Sequence, residues 1–254
     1  MNERVLFCYI AYMFFYKGIT EEDKPVNGGL FVKETGNAHE KYNFLPGKDG
    51  YVNGFVETKH KGGFKAKDPK PNQLHIEKID PMAKDADYID NVTVFFCAKP
   101  STGKGDIKLV GWYEDATIYR DRKYYIADDG EKMGTNIRTD NGKAFLIPEG
   151  NRKFIIPRAS DGKGVGFGQS NIWYADGPEG EAFKKKALSM TAWECLLGTN
   201  FFDSGQTGRL RLFRMKRLWG ALQQIDLLFF DVTEEMKHCR RTIRRYLLRY
   251  ETIL

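Results

Sequence analysis

The feature that most constrains this chain is a series of short apolar runs broken by turn residues. Between residue 5 and about residue 186, aromatic and β-branched residues come in short groups separated by Gly, Asn, Asp and Pro. Groups of this length favour strands over helices. The predicted strands lie at residues 51–58, 92–98, 105–113, 116–120, 123–127, 143–147 and 153–157. Many short strands joined by turns predict a closed or nearly closed sheet.

Two of these strands form the clearest hairpin of the sequence. Residues 92–98 are a continuous apolar run, which is typical of a strand that is buried on both faces. Residues 105–113 form the second strand, and residues 101–105 supply the turn between them. Asp115 is interpreted as a turn residue between the strand that ends at 113 and the one that begins at 116.

The N-terminal run, residues 5–16, is apolar, but its pattern is not that of a membrane span or a cleaved leader. It is too short to cross a bilayer and lacks a small-residue cleavage site. We predict a buried strand with a short continuation. The four cysteines form no CxxC pair and favour buried thiols in a reducing compartment. A cytoplasmic protein with no membrane association is therefore expected.

The character of the chain changes after residue 186. Residues 187–254 contain eleven Lys and Arg against seven Asp and Glu, a surplus of four out of the chain's net charge of +6. Residues 209–230 and 231–254 are predicted helices, the second with Asp231 and Glu234 as a capping box. Its arginines favour either a docked helix with a solvated face or a surface for nucleic acid or an acidic partner. We predict two parts, 1–186 and a helical basic segment at 187–254.

A second basic stretch lies between predicted strands. Residues 59–73 contain five lysines and a histidine among Gly and Pro residues. The pattern is typical of a solvated mobile loop, but lysines on a flexible stem are also good non-specific phosphate partners. Lys61 and Lys65 are accordingly candidate phosphate contacts. With a pI of about 9.0, the whole chain favours an anionic partner.

The sequence offers little catalytic chemistry. It has four histidines without an HExxH motif, and its Gly-rich stretches lack the pattern of a P-loop or a dinucleotide turn. The nearest match to a metal-dependent nuclease is Asp115 with Asp121 and Lys123, a triplet that is common in charged chains. We predict no cofactor, no bound metal and no catalytic activity in this chain. If the chain is catalytic, the expected activity is that of a restriction endonuclease.

Several blocks in one order carry a family resemblance. They are VLFCYIAYMFFYKG, GGLFVKETGNAHEKYNF, GYVNGFVET, LHIEKID, VTVFFCAKP, KLVGWYEDATIYR and GFGQSNIWYA. Together they resemble the N-terminal EVE-like domain, of the PUA superfamily, found in prokaryotic modification-dependent restriction endonucleases. The resemblance covers about residues 4–186. It implies an α+β fold, with a compact β-barrel-like domain and flanking helices.

The resemblance also implies a function. Such a domain takes a modified base, 5-methylcytosine or a relative, out of duplex DNA into an aromatic pocket, in a restriction or phage-defence context. In larger relatives a separate module cuts, and past residue 186 no HNH motif or P-loop is found here. The expected partners are therefore duplex DNA and a separate nuclease subunit. The alternatives are an endonuclease subunit with its own weak metal site, an RNA-binding PUA-like module, and a protein-interaction piece docked by the arginine helix.

The matched blocks imply a set of nucleic-acid-binding residues. Candidates for stacking are Trp112, Tyr113, Tyr119, Trp173, Tyr174, Tyr42 and Phe44. Candidates for polar contacts are Asn43, Ser170 and Asn171, and Arg120 joins the two lysines as a phosphate contact. Neighbours on a strand face opposite ways, so one of Trp112 and Tyr113 is expected in the core, and likewise for Trp173 and Tyr174. Phe44 is interpreted as core, Asn43 as a possible turn cap, and His39 with Glu40 as a buried hydrogen-bonded pair.

Overall fold

The computed structural model describes residues 3–58, 60–61, 70–71, 73–100, 105–162 and 165–197. The chain divides into two compact units, Met1–Lys184 and Lys185–Leu254. The described part of the second unit is residues 185–197, which are helical. The predicted helices at 209–230 and 231–254 lie outside the described residues.

The first unit is an α+β fold built on an open mixed sheet. In the described part of the chain the strands are β1 (Val5–Tyr9), β2 (Tyr51–Gly54), β3 (His60–Lys61), β4 (Lys70–Pro71), β5 (Tyr88–Ala98), β6 (Ile107–Ile126), β7 (Lys132–Asp140), β8 (Ala144–Leu146), β9 (Ile155–Ile156) and β10 (Ile172–Trp173). The sheet order is β10-β1-β5-β6-β7-β2, with β8 and β9 also paired to β6. The β1–β5 pair is parallel and the other pairs are antiparallel, while β3 and β4 form a separate ladder. The α+β class is therefore confirmed. The prediction of a closed or nearly closed sheet is wrong for the described strands, because they form an open sheet with β10 and β2 at its two ends.

Two helices and several single turns complete the described residues. The helices are α1 (Gly29–Thr35) and α2 (Pro178–Leu197). The 3₁₀ turns are His39–Tyr42, Ile76–Lys78, Pro81–Ala83, Asn141–Lys143, Glu149–Asn151 and Ala159–Asp161. Among these described helices, none is both long and apolar enough to cross a membrane.

The predicted hairpin is confirmed, but its second strand is much longer than predicted. β5 pairs with β6 in antiparallel register from Ala98↔Lys108 to Tyr88↔Tyr119. The predicted strands at 105–113, 116–120 and 123–127 are one strand, so the interpretation of Asp115 as a turn between strands is wrong. Asp115 has φ +47 inside β6, where one extra residue opposes β5. A bulge of this kind bends a strand without ending it.

Both faces of the sheet centre are covered, which explains the continuous apolar runs. On one face Phe44, Phe96 and Tyr113 contact each other edge to face, with ring centroids 4.7–5.6 Å apart. On the other face Phe7 packs against Trp173, with centroids 4.8 Å apart, and against Phe183 of α2 at 5.8 Å. Strands buried on both sides need apolar residues at every position rather than at alternate ones.

We expect Gly111→Ala to destabilise the first unit. A Cβ on Gly111 of β6 would lie 2.5 Å from the Phe145 carbonyl oxygen and 2.5 Å from Cζ of Phe44. Overpacking of a dense interior costs about 1–3 kcal/mol of the free energy of unfolding. Gly142→Ala is the matched control, because a Cβ there meets nothing within 4 Å. Denaturant unfolding of the three proteins measures the effect, and equal midpoints for both variants would contradict it.

Candidate functional site

Three of the tyrosine and tryptophan rings implied by the resemblance are buried. Tyr113 is 0% exposed and donates its hydroxyl proton to the Asn43 carbonyl oxygen. Trp112 is 3% exposed and stacks on Phe145, with centroids 5.0 Å apart. Trp173 is 7% exposed within the Phe7 group. Strand alternation does put Trp112 and Tyr113 on opposite faces, but both faces are covered. None of the three rings is accessible to a base in this structure.

The other implied stacking residues are spread over the surface or lie in the core. Phe44 is buried, as interpreted from the sequence. The half-buried Tyr42 donates its hydroxyl proton to Asp129. Tyr119 lies beside Tyr88, with centroids 6.3 Å apart. The Tyr174 hydroxyl accepts the His75 amide proton at 2.8 Å. These side chains do not form one pocket wall.

The Arg120 side chain bonds to other parts of the same chain, at residues 77–86. Its guanidinium donates to the Glu77 carboxylate at 2.8 Å, to the carbonyl oxygens of Ala86 and Ala83 at 2.8 Å, and to that of Lys84 at 2.9 Å. The expectation of a phosphate contact is not supported, because the donors of this 15% exposed side chain already have partners. The backbone of Lys61 lies in β3, and Lys65 lies outside the described residues.

The three residues of the weak nuclease triplet have different neighbours. Asp115 forms an ion pair with Lys143 at 3.2 Å, and Asp121 accepts a hydrogen bond from the Gln73 amide at 2.9 Å. The Lys123 ammonium lies 6.0 Å from the centroid of the Tyr119 ring. Within the described ranges, no group of three or more His, Cys, Asp or Glu side chains is placed to hold a metal ion.

Asparagine side chains hold the chain where it leaves β2. The Asn43 amide donates to the Phe55 carbonyl oxygen and accepts the Phe55 amide proton, both at 2.9 Å. The Asn136 amide does the same for Val56, at 2.9 Å and 3.1 Å. A side-chain amide carries one acceptor and a donor group, so it can replace a neighbouring strand. Asn43 therefore holds the backbone of Phe55 in place, and it is also the residue that ends a 3₁₀ turn.

Two further side chains extend this support. The Thr135 hydroxyl donates to the Gly54 carbonyl oxygen at 2.8 Å. The Asn171 amide donates to the Glu57 carbonyl oxygen at 3.3 Å. Ser170, the last implied polar contact, is exposed, and its hydroxyl accepts the Ile172 amide proton at 3.1 Å. Residues 54–57 are thus fixed by four side chains from three separate parts of the sequence.

Rings and an ion pair surround this fixed segment. His39 stacks on Phe31 with centroids 5.0 Å apart and planes at 11°, and meets Phe55 edge-on at 5.6 Å. The Arg122 guanidinium lies 4.6 Å above the Phe55 ring and pairs with Glu57 at 2.9 Å. Phe31 is 39% exposed, and His39 is also exposed. We call Phe31, His39, Phe55, Glu57 and Arg122 the His39 site.

The local sequence explains why Phe31 points outward. Helix α1 begins at Gly29, directly after Gly28, and Gly29 has φ +83, a conformation that favours glycine. A Cβ on Gly28 would lie 2.7 Å from the Ala11 side chain and would also clash with Val32. This close approach buries Val32 and leaves Leu30 and Phe31 on the outer face.

A further bulge in β6 determines the position of Arg122. Ile118 pairs with Ile137 of β7, and Lys123 pairs with Thr135. Four residues of β6 therefore lie between these two pairs, opposite a single residue of β7. The extra residues move out of the ladder. Gly134 leaves space beneath them, because a Cβ there would lie 3.0 Å from the Arg122 Cδ. The Arg122 side chain can therefore cross β7 to reach Phe55.

Two titratable groups adjoin the ion pair. Glu40 is 8% exposed, and burial raises its pKa to about 7, with a further increase from the Glu57 carboxylate. Partial burial lowers the pKa of His39, an effect that the Glu57 carboxylate opposes. Near neutral pH the imidazole is therefore mainly uncharged, and Glu40 is far more protonated than an exposed glutamate. The interpretation of the two residues as a buried pair is wrong, since His39 is exposed.

Sequence reasoning missed the His39 site, because it interpreted His39 as half of a buried pair. Phe31, Phe55, Glu57 and Arg122 were not among the candidates. Phe31 and His39 lie in the GGLFVKETGNAHEKYNF block, Phe55 and Glu57 lie in GYVNGFVET, and Arg122 follows the KLVGWYEDATIYR block by two residues. The sequence signal for these residues was therefore that they lie in or next to the blocks that carry the family resemblance. The stacking of rings from two blocks depends on contacts that the one-dimensional pattern does not contain.

Comparison with family models, with characterised proteins and with solved structures found no match. The resemblance therefore rests on the quoted sequence blocks alone.

Replacing Glu40 by glutamine is expected to flatten the pH dependence of stability. The folded pKa of Glu40, about 7, lies above its ordinary value of 4.5, so the unfolded chain loses this proton first as pH rises. The wild-type protein should lose about 2–3 kcal/mol of unfolding free energy from this group between pH 5 and pH 8, and Glu40→Gln should not. Denaturant unfolding at both pH values measures the difference. Glu149→Gln, at an exposed position, gives the background, and an unchanged pH slope in Glu40→Gln would contradict the assignment.

Proposed function

We propose that residues 4–186 form a PUA/EVE-type module that reads a modified cytosine, 5-methylcytosine or a relative, extruded from duplex DNA. We place the extruded base at the His39 site rather than against the buried rings of β6 and β10. In this proposal the chain is a reader in a restriction or phage-defence system. A separate nuclease subunit does the cutting.

The observation that carries the proposal is an exposed ring stack beside a partly buried ion pair. A flipped base loses stacking and pairing worth a few kcal/mol, which the protein has to replace. Each aromatic face that stacks on a base returns about 1–3 kcal/mol. The Phe31–His39 stack is open to solvent, and the neighbouring Glu57–Arg122 pair offers an acceptor and donors for the edge of the same base.

The convergence of the resembling blocks supports the same position. One block contributes Phe31 and His39, a second contributes Phe55 and Glu57, and a third ends two residues before Arg122. A fourth contributes Asn171, whose amide bonds Glu57. Segments that are far apart in sequence meet at one place on the surface, as the parts of a shared binding site do.

Charge supports an anionic partner in the same region. The lysine-rich residues 59–72 follow Thr58, one residue after Glu57, and end before Gln73. The Gln73 amide donates to Asp121, the neighbour of Arg122, at 2.9 Å. The described residues on either side of this segment, Thr58 and Gln73, are thus each next to a part of the His39 site. Lysines contribute affinity for phosphate that is independent of sequence and falls as salt rises.

Removing the Phe31 ring should weaken binding to modified DNA. Because each stacked base is worth about 1–3 kcal/mol, Phe31→Ala should raise the Kd for a duplex with one 5-methylcytosine by roughly 5- to 100-fold. His39→Ala should act in the same direction. The matched control is Phe15→Ala, an exposed phenylalanine that packs against Phe14. Titrations are compared at one salt concentration, with duplexes that carry cytosine, 5-methylcytosine or 5-hydroxymethylcytosine.

The competing outcomes are distinct. Equal loss of affinity for Phe31→Ala and Phe15→Ala would remove the His39 site from the proposal. Equal affinity for all three duplexes would remove the modified base as the feature that is read. Stronger competition by structured RNA than by methylated duplex would favour an RNA-binding module instead.

A further inference from the structure

We infer that one face of the β6–β7 hairpin, which carries Tyr124, Ile126 and Lys132, binds nucleotides that are unpaired next to the extruded base. We call these three residues the hairpin face. Tyr124 is the stacking platform and Lys132 is the phosphate contact. The inference rests on the proposed function for the position of the extruded base, but it does not depend on which base is read.

The strand register places Tyr124 beside the Arg122–Phe55 contact. Tyr124 of β6 pairs with Gly134 of β7, and residues that are directly opposite in an antiparallel pair share one face of the sheet. A Cβ on Gly134 would lie 3.0 Å from Cδ of Arg122 and 3.5 Å from Cε2 of Phe55. Tyr124 therefore lies on the face that the Arg122 side chain crosses.

The hairpin face exposes apolar surface on a rigid element. Tyr124 is 59% exposed, and Ile126, two residues further along the same face, is 65% exposed. Residues 123–126 pair with residues 132–135 in unbroken register, so the position of the Tyr124 backbone is fixed before a ligand arrives. Neighbouring exposed apolar residues that adjoin a site indicate a binding surface more than scattered ones do.

Contacts between side chains connect the hairpin face to the Phe31–His39 stack. His39 meets the Phe55 ring at 5.6 Å, Arg122 lies 4.6 Å above Phe55, and Tyr124 follows Arg122 by two residues. Residues two apart on a strand are about 6.6 Å apart. Bases stacked in a duplex strand are only about 3.4 Å apart. Successive positions on this face therefore suit nucleotides that are not stacked on each other.

Charge on the hairpin face favours an anionic strand over a neutral partner. Lys132 pairs with Ile126, and its ammonium lies 4.8 Å from the centroid of the Tyr124 ring. The acidic side chains at the turn contact residues 41–48 instead, in the pairs Glu131–Lys41, Asp129–Tyr42 and Asp128–Lys48. Aromatic platforms flanked by cations are the combination that binds single-stranded nucleic acid.

Binding changes the partner of Lys132. The incoming base takes the exposed face of the Tyr124 ring, and the ammonium moves to the phosphate of the same nucleotide. A lysine can make this move because its charge is carried on a flexible four-carbon stem. The ring contact that Lys132 gives up is replaced by an interaction between opposite charges.

The test compares two DNA duplexes that carry the same single 5-methylcytosine. The first is fully paired. In the second, which we call the mismatched duplex, the two nucleotides on each side of the 5-methylcytosine face mismatches and are unpaired. The measured quantity is the ratio of the two Kd values at one salt concentration. Extrusion is easier from the mismatched duplex for every variant, and comparing the ratio between proteins cancels that difference.

The wild-type protein should bind the mismatched duplex more tightly than the paired one. Tyr124→Ala should raise the Kd for the mismatched duplex roughly 5- to 100-fold, as expected for loss of one stacked base, and should leave the Kd for the paired duplex unchanged. Tyr124→Phe keeps the ring and should match the wild-type ratio. The control is Tyr88→Ala, a strand tyrosine that is 53% exposed and lies beside Tyr119.

Replacing Lys132 tests the phosphate contact separately. Lys132→Gln should lower the slope of log Kd against log salt for the mismatched duplex by about 0.7, the value for one phosphate of a single strand. The slope for the paired duplex should not change. An unchanged slope for the mismatched duplex would remove Lys132 from the hairpin face as a phosphate contact.

The outcomes separate this inference from the proposed function. If Tyr124→Ala keeps the wild-type ratio while Phe31→Ala weakens binding to both duplexes, the hairpin face is overturned and the His39 site remains. If Tyr124→Phe or Tyr88→Ala lowers the ratio as much as Tyr124→Ala, stacking at Tyr124 is also overturned.

Two further outcomes concern the proposed function itself. If the protein binds the mismatched duplex through Tyr124 but does not distinguish cytosine from 5-methylcytosine, the hairpin face stands and the modified base is removed. If the wild-type protein binds neither duplex, the proposed function and this inference both fail. Circular dichroism of each variant verifies that it is folded.

Discussion

The hydrogen bonding of β6 (Ile107–Ile126) is the interaction on which the rest of the first unit depends. This one strand pairs with β5 along one edge and with β7, β8 and β9 along the other. A strand that is paired on both edges cannot shift without breaking several ladders at once. The positions of all residues that extend from β6 are therefore determined together, and these include both the core rings and the candidate site.

The bulges of β6 at Asp115 and beyond Ile118 divide its length into parts with different roles. Up to the bulge at Asp115, the strand crosses the covered centre of the sheet and its aromatic residues are buried. Beyond Ile118, the register against β7 shifts, and the following side chains project away from the ladder. Bulges commonly redirect side chains next to functional sites. The same strand thus supplies core packing at one end and Arg122 at the other.

Support by asparagine amides is a second organising feature. Residues 55 and 56 receive their backbone partners from the side chains of Asn43 and Asn136 rather than from a neighbouring strand. An asparagine side chain occupies less space beside the backbone than a neighbouring strand would, which leaves room for other side chains around residues 55 and 56. The segment is rigid because its buried polar groups are bonded, yet Glu57 can meet Arg122 beside exposed rings.

The electrostatic environment of the site follows from this packing. Burial keeps Glu40 substantially protonated near neutral pH and keeps His39 uncharged, while the Glu57–Arg122 pair keeps opposite charges together. The described surface there combines neutral rings with one internally balanced pair. The His39 site therefore combines exposed aromatic surface with little net charge.

The sequence by itself determined the strand-rich character of the first unit and the β5–β6 hairpin, because apolar periodicity and turn residues act locally, whereas the α+β class was expected from the family resemblance. The blocks that carry the resemblance also include most of the segments that meet at the His39 site. Only the tertiary structure decided which rings are accessible. Trp112 and Tyr113 face opposite ways, as alternation requires, but whether a face is open depends on what packs against it. Phe183 and Phe44, which help to cover those two faces, lie far away in sequence, and no local pattern records such contacts.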